Sequence, residues 1–131
     1  MATKQDLAIY FDSCNFPFEE ISENLWRVES PEDRVKNIMV QLIEPLIIIT
    51  IRLFKVPPKA PVAFYRKLLE LNAIDIIHGA YAIDGDGFIT LVDTLELENL
   101  DPNELKASIQ SIAFNAVQSY KNLSDHVKIN K

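Results

Sequence analysis

The sequence predicts an α+β domain in the order helix, three strands, helix, two strands, helix, with an antiparallel sheet packed by helices. Three observations point there. Residues 34–56 contain two runs rich in β-branched residues, separated by Pro45, which cannot donate to a central ladder and so marks a connection. Residues 82–98, AIDGDGFITLVDTLELE, set Asp-Gly pairs ahead of an alternating run, a hairpin signal. Residues 101–123 open with Asp101, Pro102 and Glu104 and then repeat apolar side chains at helical spacing. A chain of 131 residues suits one domain spanning 1–131, with the polar end 124–131 frayed.

The first helix is read over residues 3–14, where Leu7, Tyr10, Phe11 and Cys14 share one face and Thr3 can accept a first-turn N–H. Pro17 stops it. Cys14 is the lone cysteine, which excludes an internal disulfide and reads as a small buried apolar group. A three-strand meander follows at 25–30, 34–44 and 46–56, with the Pro31–Asp33 turn after the first strand. In its third strand Ile47, Ile49, Ile51 and Leu53 point one way, and Leu46, Ile48 and Phe54 the other. A sheet with one wet face alternates more cleanly. The second face is therefore expected to be covered by the chain's own helices or by a partner, and Leu46, Ile48 and Phe54 are the candidate partner or dimer surface.

The Pro-rich corner 55–61 leads into a second helix, 62–73, with Val62, Tyr65, Leu68 and Leu69 expected inward and Arg66 and Glu70 paired on the surface. It is expected to end near Asn72, which tolerates a left-handed C-terminus. In the last helix Leu105, Ile109, Ile112, Ala116, Val117, Tyr120 and Leu123 recur at three- and four-residue steps, leaving Lys106 and Gln110 exposed.

Asp84, Asp86 and Gly87 also match the third, fifth and sixth positions of a twelve-residue calcium loop. Two positions oppose that reading: Ala82 stands at the first, and Asp93 at the last, where a bidentate Glu is usual. The following residues place Ile89, Leu91, Leu95 and Leu97 on one face and Thr90, Thr94, Glu96 and Glu98 on the other, a period of two rather than 3.6. The stretch is therefore a hairpin tip, whose centre can be either Asp84-Gly85 or Asp86-Gly87.

A net charge of −6 argues against a nucleic-acid partner and an anionic membrane, both of which need a basic face. The apolar stretch 46–51 is too short to span a bilayer, and the N-terminal residues lack a long apolar signal core, so a cytoplasmic location is expected. His78 and His126 have no metal-ligand spacing to each other or to Cys14. Gly79, Gly85 and Gly87 cannot cradle a phosphate in this arrangement. Period two spreads Asp84, Asp86, Asp93, Glu96 and Glu98 over both hairpin faces, which does not favour acid–base pairing. Trp26, Tyr65 and Tyr81 read as core or interface aromatics. No catalytic, cofactor-binding or metal-binding residue is therefore expected, and the chain is not read as an enzyme.

Residues 68–120 carry a resemblance. The second helix ends in Leu71-Asn72, a hairpin with an Asp-Gly tip follows, and a strand then leads to Asp101 and the final helix. This pattern resembles the YbjN-like and Tir-chaperone-like families, whose fold is that of the type III secretion chaperones. The resemblance implies a small chaperone-like or regulatory protein that binds another protein through its sheet and helix surfaces, often as a homodimer, with no active site to carry over. The alternative is a small-ligand or metal-binding domain using the acidic hairpin 84–93.

Overall fold

The computed structural model describes residues 2–74, 76 and 78–123. Its elements are α1 (Lys4–Ser13), β1 (Phe18–Ser22), β2 (Leu25–Ser30), β3 (Val35–Ile43), β4 (Leu46–Lys55), α2 (Val62–Ile74), β5 (Ala80–Ile83), β6 (Phe88–Glu96) and α3 (Pro102–Asn122). The strands form one antiparallel sheet in the order β1-β2-β3-β4-β6-β5. The α+β class is as the sequence predicts. The first β region holds four strands rather than three, because Phe18–Ser22 adds an edge strand whose residues are all exposed. An edge that buries neither face carries no alternation to read.

α3 begins as its start signal dictates: Asp101 accepts the N–H of Glu104 at 2.8 Å, and Pro102 occupies the first turn. Leu105, Ile109, Ile112 and Ala116 are buried and Lys106 is exposed, while Gln110 is half-buried rather than exposed. Val117 and Tyr120 sit at the border of the stripe and stay largely exposed. The helix lies over β2, β3, β4 and β6, and α1 packs on both α3 and β1. Cys14 is half-buried where they meet, its Sγ 3.7 Å from the Pro102 carbonyl. One core runs through this layer, including Phe11, Trp26, Val40, Ile49 and Leu91.

α2 departs from expectation in its phase. Phe64, Leu68 and Leu71 face the core, whereas Val62 and Leu69 are 82% and 69% exposed and Tyr65 is also exposed. Its end differs too. The helix runs on to Ile74, and Asn72 is not its cap. Instead the Asn72 side chain accepts the Tyr81 N–H at 2.6 Å and donates to the Tyr81 carbonyl at 3.4 Å. It thus hydrogen-bonds the outer edge of β5 as a neighbouring strand would. Gly79, at φ +82°, turns the chain into β5 so close to the Val92 carbonyl that a Cβ would collide with it.

Candidate functional site

The hairpin tip settles into hydrogen bonds of its own. The Asp84 carbonyl accepts from Gly87, so the central residues of the turn are Gly85 and Asp86, neither Asp-Gly pair, and Gly87 takes the left-handed conformation at φ +83°. Asp84 Oδ1 accepts the backbone N–H groups of Asp86 and Phe88, each at 3.0 Å. Arg52 then crosses from β4 to the tip: its Nε lies 2.7 Å from Asp84 Oδ2 and its Nη2 lies 2.6 Å from Asp86 Oδ2. The same guanidinium stacks 4.6 Å from the centre of the Phe88 ring. The Phe88 N–H first, then the Asp86 N–H and the Arg52 charge, hold the Asp84 carboxyl below the usual carboxylate range.

Asp93, which a calcium loop would need as its last ligand, accepts from the Ser108 hydroxyl of α3 at 2.5 Å. The three carboxylates of the partial calcium motif are thus committed to a turn, a guanidinium and a helix. Among the described residues no group of three or more His, Cys, Asp and Glu side chains is placed to hold a metal. His78 is exposed just before β5, and His126 lies outside the described residues.

The predicted strip Leu46–Ile48–Phe54 is divided by the structure. Leu46 and Ile48 lie on the face opposite α3, beside Ile43, which pairs with Leu46. Ile43 is 51% and Leu46 37% exposed, and Ile48 is half-buried. Phe54 does not join them. The β4–β6 register shifts between Arg52 and Phe54, so Phe54 pairs with the fully buried Ile89 and packs on the Tyr120 ring of α3 at 6.3 Å. A bulge inserts one residue and reverses which face the following side chains take, and counting by twos along the sequence cannot register it.

A second apolar surface lies along α2 and β5, and its α2 residues Tyr65 and Leu69 are ones the helical spacing turns inward. Tyr65, Leu69 and Ile83 are exposed there, and with Leu68 and Ala82 they border a groove of about 310 Å³. Arg66 and Glu70 lie on the same exposed side of α2, loosely paired at 3.9 Å. The signal that could have found this surface is the apolar character of α2 on two faces. Among the described residues no helix is long and apolar enough to cross a membrane.

Comparison with known proteins agrees with this architecture. No curated protein matches the sequence. Among solved structures, a chain of the ExoU–SpcU complex from the type III secretion system of Pseudomonas aeruginosa superposes with a TM-score of 0.70 at 14% identity, covering 87% of this chain and 94% of that one. YbjN from E. coli, described as a candidate transcription regulator, gives 0.63 at 14% identity, covering 91% and 92%. A chain of the Yersinia Pestis complex between the type III secretion chaperone SycH and a YscM2 fragment gives 0.61 at 16% identity, covering 86% and 94%. At these identities the likeness is one of fold. The family is shown by sequence: the model of CesT_Tir_1, a type III secretion chaperone family, matches residues 2–128. The chain belongs to the CesT_Tir_1 family.

Proposed function

We propose that this protein is a non-enzymatic, chaperone-like protein-binding module, acting in the cytoplasm as one domain and as a homodimer. The observation that carries the proposal is the pair of apolar surfaces left uncovered, one on α2 and β5 and one at Ile43, Leu46 and Ile48. Exposed apolar patches of this kind are costly in water unless something covers them.

The α2 surface suits a second copy. Val62, Tyr65, Arg66, Leu69 and Glu70 share one exposed side of the helix. An antiparallel two-fold crossing between Arg66 and Glu70 sets Arg66 of each copy beside Glu70 of the other, so one patch of mixed charge complements itself. The outer sheet face at Leu46 and Ile48 is then left for a different protein. Support for such a partner comes from neighbours of this fold solved with a second protein: the ExoU–SpcU heterodimer, SycH with a YscM2 fragment, and the HopA1–SchA chaperone–effector complex.

Photocrosslinking tests both surfaces in the native cell. A photoreactive residue at position 69 is expected to give an adduct of two copies of this chain, and one at position 46 an adduct with a different polypeptide. A probe at exposed position 106, outside both surfaces, serves as control and is expected to give neither. Absence of intermolecular adducts at both 46 and 69 would contradict the proposal.

A further inference from the structure

We propose that the groove between the start of β3 and the C-terminal half of α3 anchors an acidic, amphipathic segment of a partner protein. This inference rests on the protein-binding reading above and adds the partner's chemistry. The groove has a volume of about 480 Å³. Its floor and apolar wall are Ile51, Ala116, Val117 and Tyr120, and Arg34 and Lys36 stand on its rim. The Tyr120 wall is already fixed. Its hydroxyl donates to the Leu53 carbonyl at 3.1 Å, and its ring packs on Phe54. A wall ordered before binding spares part of the entropy of association.

The charges on the rim select the occupant. Arg52 also borders the groove, but its guanidinium is held by Asp84 and Asp86. Arg34 and Lys36 have no acidic partner among the described residues, whereas Lys4, Arg27 and Arg66 each have one. Asp33 opposes them, lining the groove with its Oδ2 accepting from the Ser30 hydroxyl at 3.2 Å, and at the Arg52 side one guanidinium meets two carboxylates, Asp84 and Asp86. In a chain of net charge −6, Arg34 and Lys36, with no acidic partner among the described residues, are two cations above an apolar floor, and they supply the groove's free positive charge at the start of β3. The segment that complements it presents a large apolar side chain to Ile51 and Ala116 and carboxylates to Arg34 and Lys36.

The backbone adds an independent observation. Arg34 is held at φ +58°, and Asn fills three of the four other non-glycine left-handed positions among the described residues. Asn and Gly tolerate that conformation better than Arg does. Arg34 and Lys59 are the two left-handed positions not filled by Asn, and Arg at position 34 carries backbone strain that Asn or Gly would not.

The test uses the full-length protein and two synthetic amphipathic helical peptides with the same Leu stripe, one with Glu on its polar face and the other with Lys. The Glu peptide is expected to shift the NMR signals of Ile51, Val117 and Tyr120 and to bind about tenfold or more tightly than the Lys peptide, the factor that corresponds to about 1.4 kcal/mol. The double variant Arg34→Gly with Lys36→Ala is expected to lose that preference while its melting midpoint stays level or rises, because Gly relieves the left-handed position. No binding by the Glu peptide, equal binding of both peptides, shifts confined to another surface, or unchanged affinity in the double variant would overturn the proposal. Each of those results leaves the crosslinks at positions 46 and 69 to be judged on their own, so failure of the groove is distinguishable from failure of the protein-binding reading.

Discussion

Replacing Asn72 with Ala tests how the β5 edge of the sheet is closed. Asn72 holds both backbone groups of Tyr81, accepting its N–H at 2.6 Å and donating to its carbonyl at 3.4 Å. The first contact is short and the second long, so the lost acceptor dominates. Removing one partner of a buried hydrogen bond costs about 1–3 kcal/mol, and Tyr81 is only 7% exposed. Ala returns about 0.5 kcal/mol through its higher helix propensity inside α2. The net expectation is a loss of about 1–2 kcal/mol. For a domain of this size that lowers the melting temperature by about 3–5 °C per kcal/mol. Urea denaturation gives the free energy, and hydrogen exchange gives the place: protection should fall first at the Tyr81 amide. An unchanged midpoint together with unchanged protection at Tyr81 would refute the claim that this side chain closes the edge.

Four further outcomes follow from the same geometry. Ile109→Ala should destabilise the fold by about 2–4 kcal/mol because the side chain is fully buried on the inner face of α3, whereas Lys106→Ala should change it by no more than about 0.5 kcal/mol; equal small effects in a denaturant titration would place the helix in the wrong phase. Calcium should leave the wild-type melting temperature unchanged, since Asp84, Asp86 and Asp93 already have protein partners; a rise abolished by Asp84→Asn with Asp86→Asn would contradict the hairpin assignment. Asp84 titrates below the usual carboxylate range when folded, so its contribution to stability is fully present above the ordinary aspartate value and is lost as the pH falls below it. Asp84→Asn should therefore flatten the acid side of the stability profile, and an unaltered profile in the variant would count against the Phe88 and Asp86 hydrogen bonds and the Arg52 contact together.

What the sequence made legible, and what it hid, follows from the range of each signal. α3 was readable because its cap, its proline and its buried stripe all lie within the helix itself. The hairpin was readable for the same reason: its Asp-Gly pairs and the alternation of Ile89 and Leu91 with Thr90 are local. The phase of α2 was not readable. Val62, Tyr65 and Leu69 form one apolar stripe and Phe64, Leu68 and Leu71 another, and periodicity alone does not say which one meets the core. The Phe54 reversal depends on a bulge defined only by pairing with β6. Arg52 reaches carboxylates more than 30 residues away, and no spacing rule covers that distance. Leu46 and Ile48 stand on the face where the alternation puts them, while the exposed apolar stripe of α2 emerged only from the packing.

The most direct test of the central claim is the mass of the protein in solution, measured by light scattering across a dilution series, for the wild type and for Leu69→Asp. A homodimer paired through α2 has twice the chain mass of 14.9 kDa, and Leu69→Asp is expected to give a folded monomer, because a charge on the α2 surface opposes its pairing. A wild-type protein that stays monomeric at tens of micromolar, or a Leu69→Asp variant that remains a dimer, would contradict it.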